Sequence, residues 1–82
     1  MVYIKEDERK DVKEYIKTLE PITDFSTLKK GDKIFNKESL SVDFVDTFDH
    51  VETWGDREIV FYINSKGEMW NGEAQGYWYY VK

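Results

Sequence analysis

The chain has 82 residues, a net charge of −5, one histidine and no cysteine. This length allows one domain, over residues 1–82, and leaves no room for a second hydrophobic core. Without cysteine there is no disulfide framework and no thiolate-ligated metal centre, and the chain shows no catalytic motif or cofactor-binding spacing. We therefore expect a non-enzymatic, cytoplasmic protein that needs no cofactor.

No segment of the sequence has the pattern of a signal peptide or a membrane helix. Residues 1–7 reach acidic side chains at once and lack an apolar stretch. The longest apolar run, residues 59–63, is far shorter than the roughly twenty residues that a membrane helix needs. We expect no association with membranes.

The first predicted element is an N-terminal amphipathic helix over residues 6–20. Its apolar side chains recur at intervals of three and four residues and share one face: Val12, Tyr15, Ile16 and Leu19. Pro21 disfavours helical backbone at the preceding residue, so the helix is predicted to end at Glu20.

A connector is predicted over residues 21–32. It includes one possible helical turn at residues 24–28, and Ile22, Phe25 and Leu28 would attach it to the core. Residues 30–32 form a turn signal that leads into a short strand. From this point, residues 33–82 are predicted to form an antiparallel sheet.

Residues 40–54 fit two structures. As a helix, the segment would place its large apolar side chains on one face and end at Gly55: Leu40, Phe44, Phe48, Val51 and Trp54. As strand, it has the β-favouring residues valine, phenylalanine, threonine and tryptophan, no alanine and one leucine. We favour strand because of this composition, although the apolar period is that of a helix.

The remainder of the chain has a clear β pattern. Residues 57–64 alternate two apolar faces, residues 64–67 form a tight turn, and residues 68–70 return antiparallel. A second turn at residues 72–76 leads to a last strand at residues 77–82. The predicted fold is α+β, with the N-terminal helix packed on a curled antiparallel sheet of four or five strands that could close into an SH3-like barrel. If residues 40–54 were helical, two helices would cover three or four strands.

Acidic residues concentrate in the middle of the chain. Residues 38–58 hold seven acidic side chains against the single base Arg57, and four of them recur at every third position: Asp43, Asp46, Asp49 and Glu52. The spacing does not match a calcium-binding loop. A solvated acidic face is the simplest interpretation. Such a face can also attract a basic protein or imitate the phosphates of a duplex.

His50 is the sole imidazole and lies in this acidic segment. Asp49 or Glu52 could supply a carboxylate partner, but the sequence offers no nucleophile and no dyad or triad spacing. We interpret His50 as a surface residue with a raised pKa rather than as a catalytic base.

The aromatic residues near the end of the chain suggest a second kind of surface. Bases stack on exposed rings, and lysines at positions 29, 30, 33 and 37 could hold a nucleic-acid backbone. The acidic net charge and the presence of only two arginines count against this interpretation. Strand alternation would turn Trp78 and Tyr80 to one face and Tyr77 and Tyr79 to the other, with one pair in the core and the other exposed.

We therefore expect a small acidic protein-binding module with inhibitory or adaptor-like action on a basic, nucleic-acid-handling protein, of a kind found in phages and mobile elements. The alternative is a single-stranded nucleic-acid binder that uses an aromatic platform, and a homodimer fits either function. In the predicted contact surface, carboxylates steer the partner and rings anchor it. Its residues are Asp43, Asp46, Asp49, Glu52, Trp54, Asp56, Trp78 and Tyr80.

Overall fold

The computed structural model describes residues 10–81, which form one α-helix, one 3₁₀ turn and a five-stranded antiparallel sheet. The helix α1 spans Lys10–Ile16, and the 3₁₀ turn spans Phe25–Thr27. The strands are β1 (Lys33–Asn36), β2 (Asp46–Trp54), β3 (Arg57–Ile63), β4 (Met69–Glu73) and β5 (Trp78–Tyr80). This arrangement confirms an α+β fold in which the sheet holds most of the regular structure.

Helix α1 ends at Ile16 rather than at the predicted Glu20. The hydroxyl and the backbone N–H of Thr18 both donate to the carbonyl of Tyr15, at 2.6 and 2.9 Å. These bonds tighten the last turn and compete with continued α-helix. Residues 6–9 of the predicted helix lie outside the described residues.

The segment after the helix extends the sheet at β5. Pro21 forms an isolated antiparallel bridge with Tyr79. On either side of this bridge, the N–H of Ile22 donates to the carbonyl of Trp78 and the N–H of Tyr80 donates to the carbonyl of Glu20, both at 2.9 Å. The connector therefore pairs with the outer edge of β5 before it enters the 3₁₀ turn, of which Phe25 is buried and Ser26 and Thr27 are exposed.

The strand order is β4-β3-β2-β1-β5. Strands β4 and β5 are consecutive in the sequence but stand at opposite ends of this order, and only residues 74–77 join them. The indole N–H of Trp78 donates to the carbonyl of Glu73 at 3.0 Å, so the end of β4 meets the start of β5. The sheet must bend for its two edges to come this close.

Residues 46–54 of the ambiguous segment are strand, and residues 40–45 lie in the β1–β2 loop. A bulge in β2 explains the misleading helical period. The pairing with β3 shifts between Phe48 and His50, so Asp49 is an additional residue in the strand. Phe48 and Val51 therefore pack against the same cluster although they are three residues apart.

Two apolar clusters cover the two faces of the sheet. Ile34 and Phe35 are adjacent on β1, both are fully buried, and they belong to different clusters because successive strand residues point to opposite faces. Ile34 joins a larger cluster that includes Val60 and Trp78. Phe35 belongs to the other cluster with Val12 of α1. The ring of Tyr15 contacts the ring of Phe35 edge-on, with the ring centroids 5.0 Å apart. The helix therefore covers the Phe35 face of the sheet.

Within residues 10–81, no helix has the length and apolar character required to cross a lipid bilayer.

Candidate binding surfaces

The bulge in β2 divides the acidic residues of this strand between the two faces of the sheet. Asp46 pairs with Ile34 of β1, is only 9% exposed, and lines a cleft described below. Asp49 and Glu52 instead contact His50, whose cross-strand partner is Phe61. The predicted row of evenly spaced carboxylates is therefore not contiguous in space.

His50 is held between two carboxylates. Its Nδ1 lies 2.6 Å from the Oδ2 atom of Asp49, and its Nε2 lies 2.9 Å from the Oε2 atom of Glu52. These hydrogen bonds, the one with Asp49 first, raise the pKa of His50 above its ordinary value, in agreement with the sequence prediction. Because both ring nitrogens face carboxylates, the surroundings of the imidazole favour its positively charged form.

The pKa values of the two carboxylates are lowered, in the opposite direction from that of His50. The hydrogen bond with His50 lowers the pKa of Asp49, and the Nζ atom of Lys30 adds an ion pair at 3.5 Å. Hydrogen bonds from Trp54 and then from His50 lower the pKa of Glu52. Both groups therefore stay charged at neutral pH.

Trp54 is an exposed aromatic side chain with a fixed orientation. It is 49% exposed, its Nε1 donates to the Oε1 atom of Glu52 at 2.9 Å, and its ring meets Phe61 edge-on at 6.0 Å. Asp56 follows in the exposed β2–β3 turn, where Gly55 has the positive φ of 68° that this short connection requires. We call Asp49, His50, Glu52, Trp54 and Asp56 together the hairpin surface.

The other predicted contact residues lie elsewhere. Asp43 is exposed in the β1–β2 loop, apart from the hairpin surface. Trp78 is 2% exposed and belongs to the core, so it was wrongly assigned to the surface: its ring packs edge-on against Tyr62, and its N–H bonds to Glu73. Tyr80 is half-buried against the same cluster, and its hydroxyl lies 2.7 Å from that of Thr27.

The aromatic run of β5 does not form an exposed stacking platform. Trp78 and Tyr80 pack on one cluster and Tyr79 on the other, so both faces of this strand are used for packing. Trp70 of β4, in contrast, is 54% exposed.

A cleft of about 460 Å³, which the sequence analysis did not predict, lies between the β1–β2 loop and the β3–β4 hairpin. Its apolar walls are formed by Leu40, Phe44, Tyr62 and Trp70. Asp46 contributes the buried carboxyl group, and desolvation raises the pKa of Asp46 to about 6. Burial and, secondarily, the charge of Asp46 raise the pKa of Tyr62, so these two groups lie close together.

The cleft could not be found from residue patterns, because its walls come from distant parts of the chain. The local signals were the apolar Leu40 and Phe44 within a turn-rich segment, and the pairing of Tyr62 with Trp70 across the predicted turn. Nothing in the sequence brings these two pairs together.

In the described part of the chain, no group of three or more histidine, aspartate or glutamate side chains is arranged to hold a metal ion. The chain matches no protein-family model, and no curated protein or solved structure shows significant similarity to it. The chemistry of the two surfaces is therefore the basis for assigning a function.

Proposed function

We propose that this chain is a small, acidic, non-enzymatic protein-binding module that acts in the cytoplasm on a basic protein, as an inhibitor or an adaptor. The observation that carries the proposal is Trp54, which is half exposed and already oriented by its hydrogen bond to Glu52. Tryptophan is enriched among the residues that dominate binding energy. A ring that is ordered beforehand loses less rotamer entropy when a partner binds.

The charges around Trp54 favour a basic partner. Glu52 and Asp56 are exposed on either side of the ring in sequence, and the nearby cation Arg57 forms an ion pair with Glu73 of β4. Negative potential at this tip would speed the association of a positively charged protein. Proteins that handle nucleic acids carry such basic surfaces, and a phage or mobile-element origin is consistent with this role.

The strand order also supports a finer fold assignment. Consecutive strands β1 to β4 pair in sequence order, β5 pairs with β1, and four residues join the two edges of the sheet. On this basis we propose that the sheet closes into an SH3-like barrel.

A second candidate function is single-stranded nucleic-acid binding, which the exposed ring of Trp70 favours. It ranks second because the acidic side chains Glu38, Asp46 and Glu68 line the cleft beside this ring and would repel phosphates.

Affinity capture of the tagged protein from lysate of its source cells, with and without nuclease, tests the proposal. We expect one stoichiometric basic protein that survives nuclease treatment and dissociates as salt rises. The charge-reversed Glu52→Lys/Asp56→Lys variant and the Trp54→Ala variant should lose it. The Asp11→Lys/Glu14→Lys variant, with the same change in net charge on α1, should retain it. Capture that disappears with nuclease would favour the second candidate instead.

A further inference from the structure

The cleft contains a carboxyl group that the described part of the chain leaves without a partner. Asp46 is 9% exposed, and within residues 10–81 its carboxylate forms no hydrogen bond and no ion pair. A buried carboxylate is costly unless a positive charge or a hydrogen-bond donor compensates it. A bound group that brings a positive charge would supply this compensation.

The walls around Asp46 are apolar and remain accessible. Leu40, Phe44 and Trp70 are 54%, 48% and 54% exposed, and Tyr62 completes the wall beside the carboxyl group. Large apolar side chains that stay this accessible around one polar group are typical of ligand sites. Aromatic rings also attract cations to their faces.

The net charge of the other side chains that line the cleft has the same sign as Asp46. Among the described residues of the lining, Glu38 and Glu68 are negative and Lys66 is the single cation, and all three are exposed. The cleft is therefore complementary to a positive ligand and unfavourable for a phosphate.

We propose that this cleft binds the cationic side chain, lysine or arginine, of an extended segment of a basic protein. The charged end lies at Asp46, and the alkyl stem lies along Tyr62 and Trp70. Both lysine and arginine have this combination of an apolar stem and a cationic end. The inference rests on the proposed function in taking the partner to be basic, but it concerns a surface separate from the hairpin surface.

The shape of the cleft favours a polypeptide segment over a free amine. A second cavity of about 270 Å³ shares Asn36, Glu38 and Tyr62 with the first and continues to Tyr77. The two cavities are therefore adjacent, which suits a ligand longer than one side chain. A peptide would place one residue at Asp46 and extend its backbone towards the second cavity.

Nuclear magnetic resonance titration of the isotope-labelled full chain tests this inference. The probes are short glycine–serine peptides that carry one central lysine, one arginine, or one norleucine, which keeps an alkyl stem but has no charge. The lysine and arginine peptides should shift the indole signal of Trp70 and the amide signals of Asp46 and Tyr62. The affinity for the norleucine peptide should be lower by a factor of about ten, as expected for loss of one charged hydrogen bond. The amide signal of Glu14, which is exposed on α1 and outside both cavities, serves as an internal control.

Substitutions separate the charge of Asp46 from the shape of the cleft. Asp46→Asn keeps the shape and should reduce affinity for the lysine peptide about tenfold. Trp70→Ala should also reduce it, whereas Asp11→Asn, which removes an exposed carboxylate of α1 outside the cleft, should leave it unchanged. The dispersion of the amide signals verifies that each variant is folded.

Any of four results would overturn the inference. The first three are equal binding of the lysine and norleucine peptides, unchanged affinity in Asp46→Asn, and no binding at millimolar peptide concentration. The fourth is a movement of the Trp70 signals on dilution without peptide, which would show a second copy in the cleft. If the peptides do not bind but the hairpin surface still captures a basic protein, this inference is wrong and the proposed function stands. If the peptides bind but no protein is captured, the hairpin surface is not the contact and this inference stands.

Discussion

The imidazole of His50 lies flat on the ring of Phe61, its cross-strand partner, with the ring centroids 4.5 Å apart and the planes inclined by 6°. The stack fixes the plane of the imidazole, and within this plane the two nitrogens meet Asp49 and Glu52. The bulge in β2 places Asp49 within reach, because it adds a residue between Phe48 and His50. The bulge therefore brings Asp49, His50 and Glu52 together as a charged triplet beside Trp54.

We expect the pKa of His50 to lie above the ordinary value of 6.5. Asp49→Asn should lower it more than Glu52→Gln, because the hydrogen bond with Asp49 is the larger cause. Titration of the imidazole signals by nuclear magnetic resonance measures both effects. The raised pKa means that this group stabilises the fold fully below its unfolded pKa, and the contribution is lost as pH rises through the folded value. A pKa at or below 6.5 in the unmodified protein would contradict the geometry of the triplet.

Asp46→Asn should stabilise the fold at neutral pH. Desolvation raises the pKa of Asp46 from 3.8 to about 6. The stability that protonated Asp46 contributes is fully present below its pKa in the unfolded chain and is lost as pH rises through about 6. The charged form of Asp46 therefore destabilises the fold at neutral pH. The amide removes the penalty, and the free energy of unfolding should rise by about 1–2 kcal/mol near neutral pH.

Denaturant unfolding of both proteins near neutral pH and near pH 4, the latter about the ordinary pKa of an aspartate, measures this gain. The gain should largely disappear at the acidic pH. An equal gain at both values would assign it to a new hydrogen bond of the amide rather than to the lost charge.

The tryptophans of the core and of the hairpin surface should differ sharply in their effect on stability. Trp78→Ala removes a ring that is 2% exposed and should lower the free energy of unfolding by about 3–5 kcal/mol. Trp54→Ala, at a ring that is 49% exposed, should lower it by about 0.5–1 kcal/mol. Trp78→Phe keeps a ring but loses the hydrogen bond to Glu73, and provides an intermediate variant if the alanine variant does not fold. Chemical denaturation compares the three, and similar losses for the two alanine variants would contradict the assigned burial.

Gly55→Ala should destabilise the β2–β3 hairpin by about 1 kcal/mol, because the φ of 68° at this position is unfavourable for a residue with a Cβ atom. No atom lies within 4 Å of the position that this Cβ would take, so the cost comes from the backbone and not from a clash. Gly55→Asn should cost less, since asparagine tolerates the left-handed region. Thermal or denaturant unfolding measures the order, and an alanine variant as stable as the parent would contradict it.

The sequence predicted the elements whose signals are local. The turn at residues 64–67, the alternation in β3 and the possible helical turn at residues 24–28 each depend on neighbouring residues. The structure confirms the first two and has a 3₁₀ turn at Phe25–Thr27 for the third. The period of β2 was ambiguous because its bulge gives Phe48 and Val51 the spacing of a helix face.

The two candidate surfaces were predictable to the extent that their residues are close in sequence. Glu52, Trp54 and Asp56 were expected together and lie together on one hairpin. For Trp78 the sequence could not decide which face of β5 is inward, since both faces are apolar and both are buried by other elements. The cleft at Asp46 required the β1–β2 loop to approach a hairpin some twenty residues further along the chain, and no local pattern encodes this approach.

The pairing of residues 20–22 with β5 makes the two ends of the sheet unequal. One edge has its hydrogen-bonding groups occupied by the chain itself, whereas in the described residues β4 pairs with no strand other than β3 and carries the exposed side chains of Met69 and Trp70. A molecule with one open edge can add a strand in one direction only. Two copies joined edge to edge through β4 would use both open edges, and assembly would stop at a dimer. The pairing of the connector with β5 would leave no open strand at which a fibre could grow.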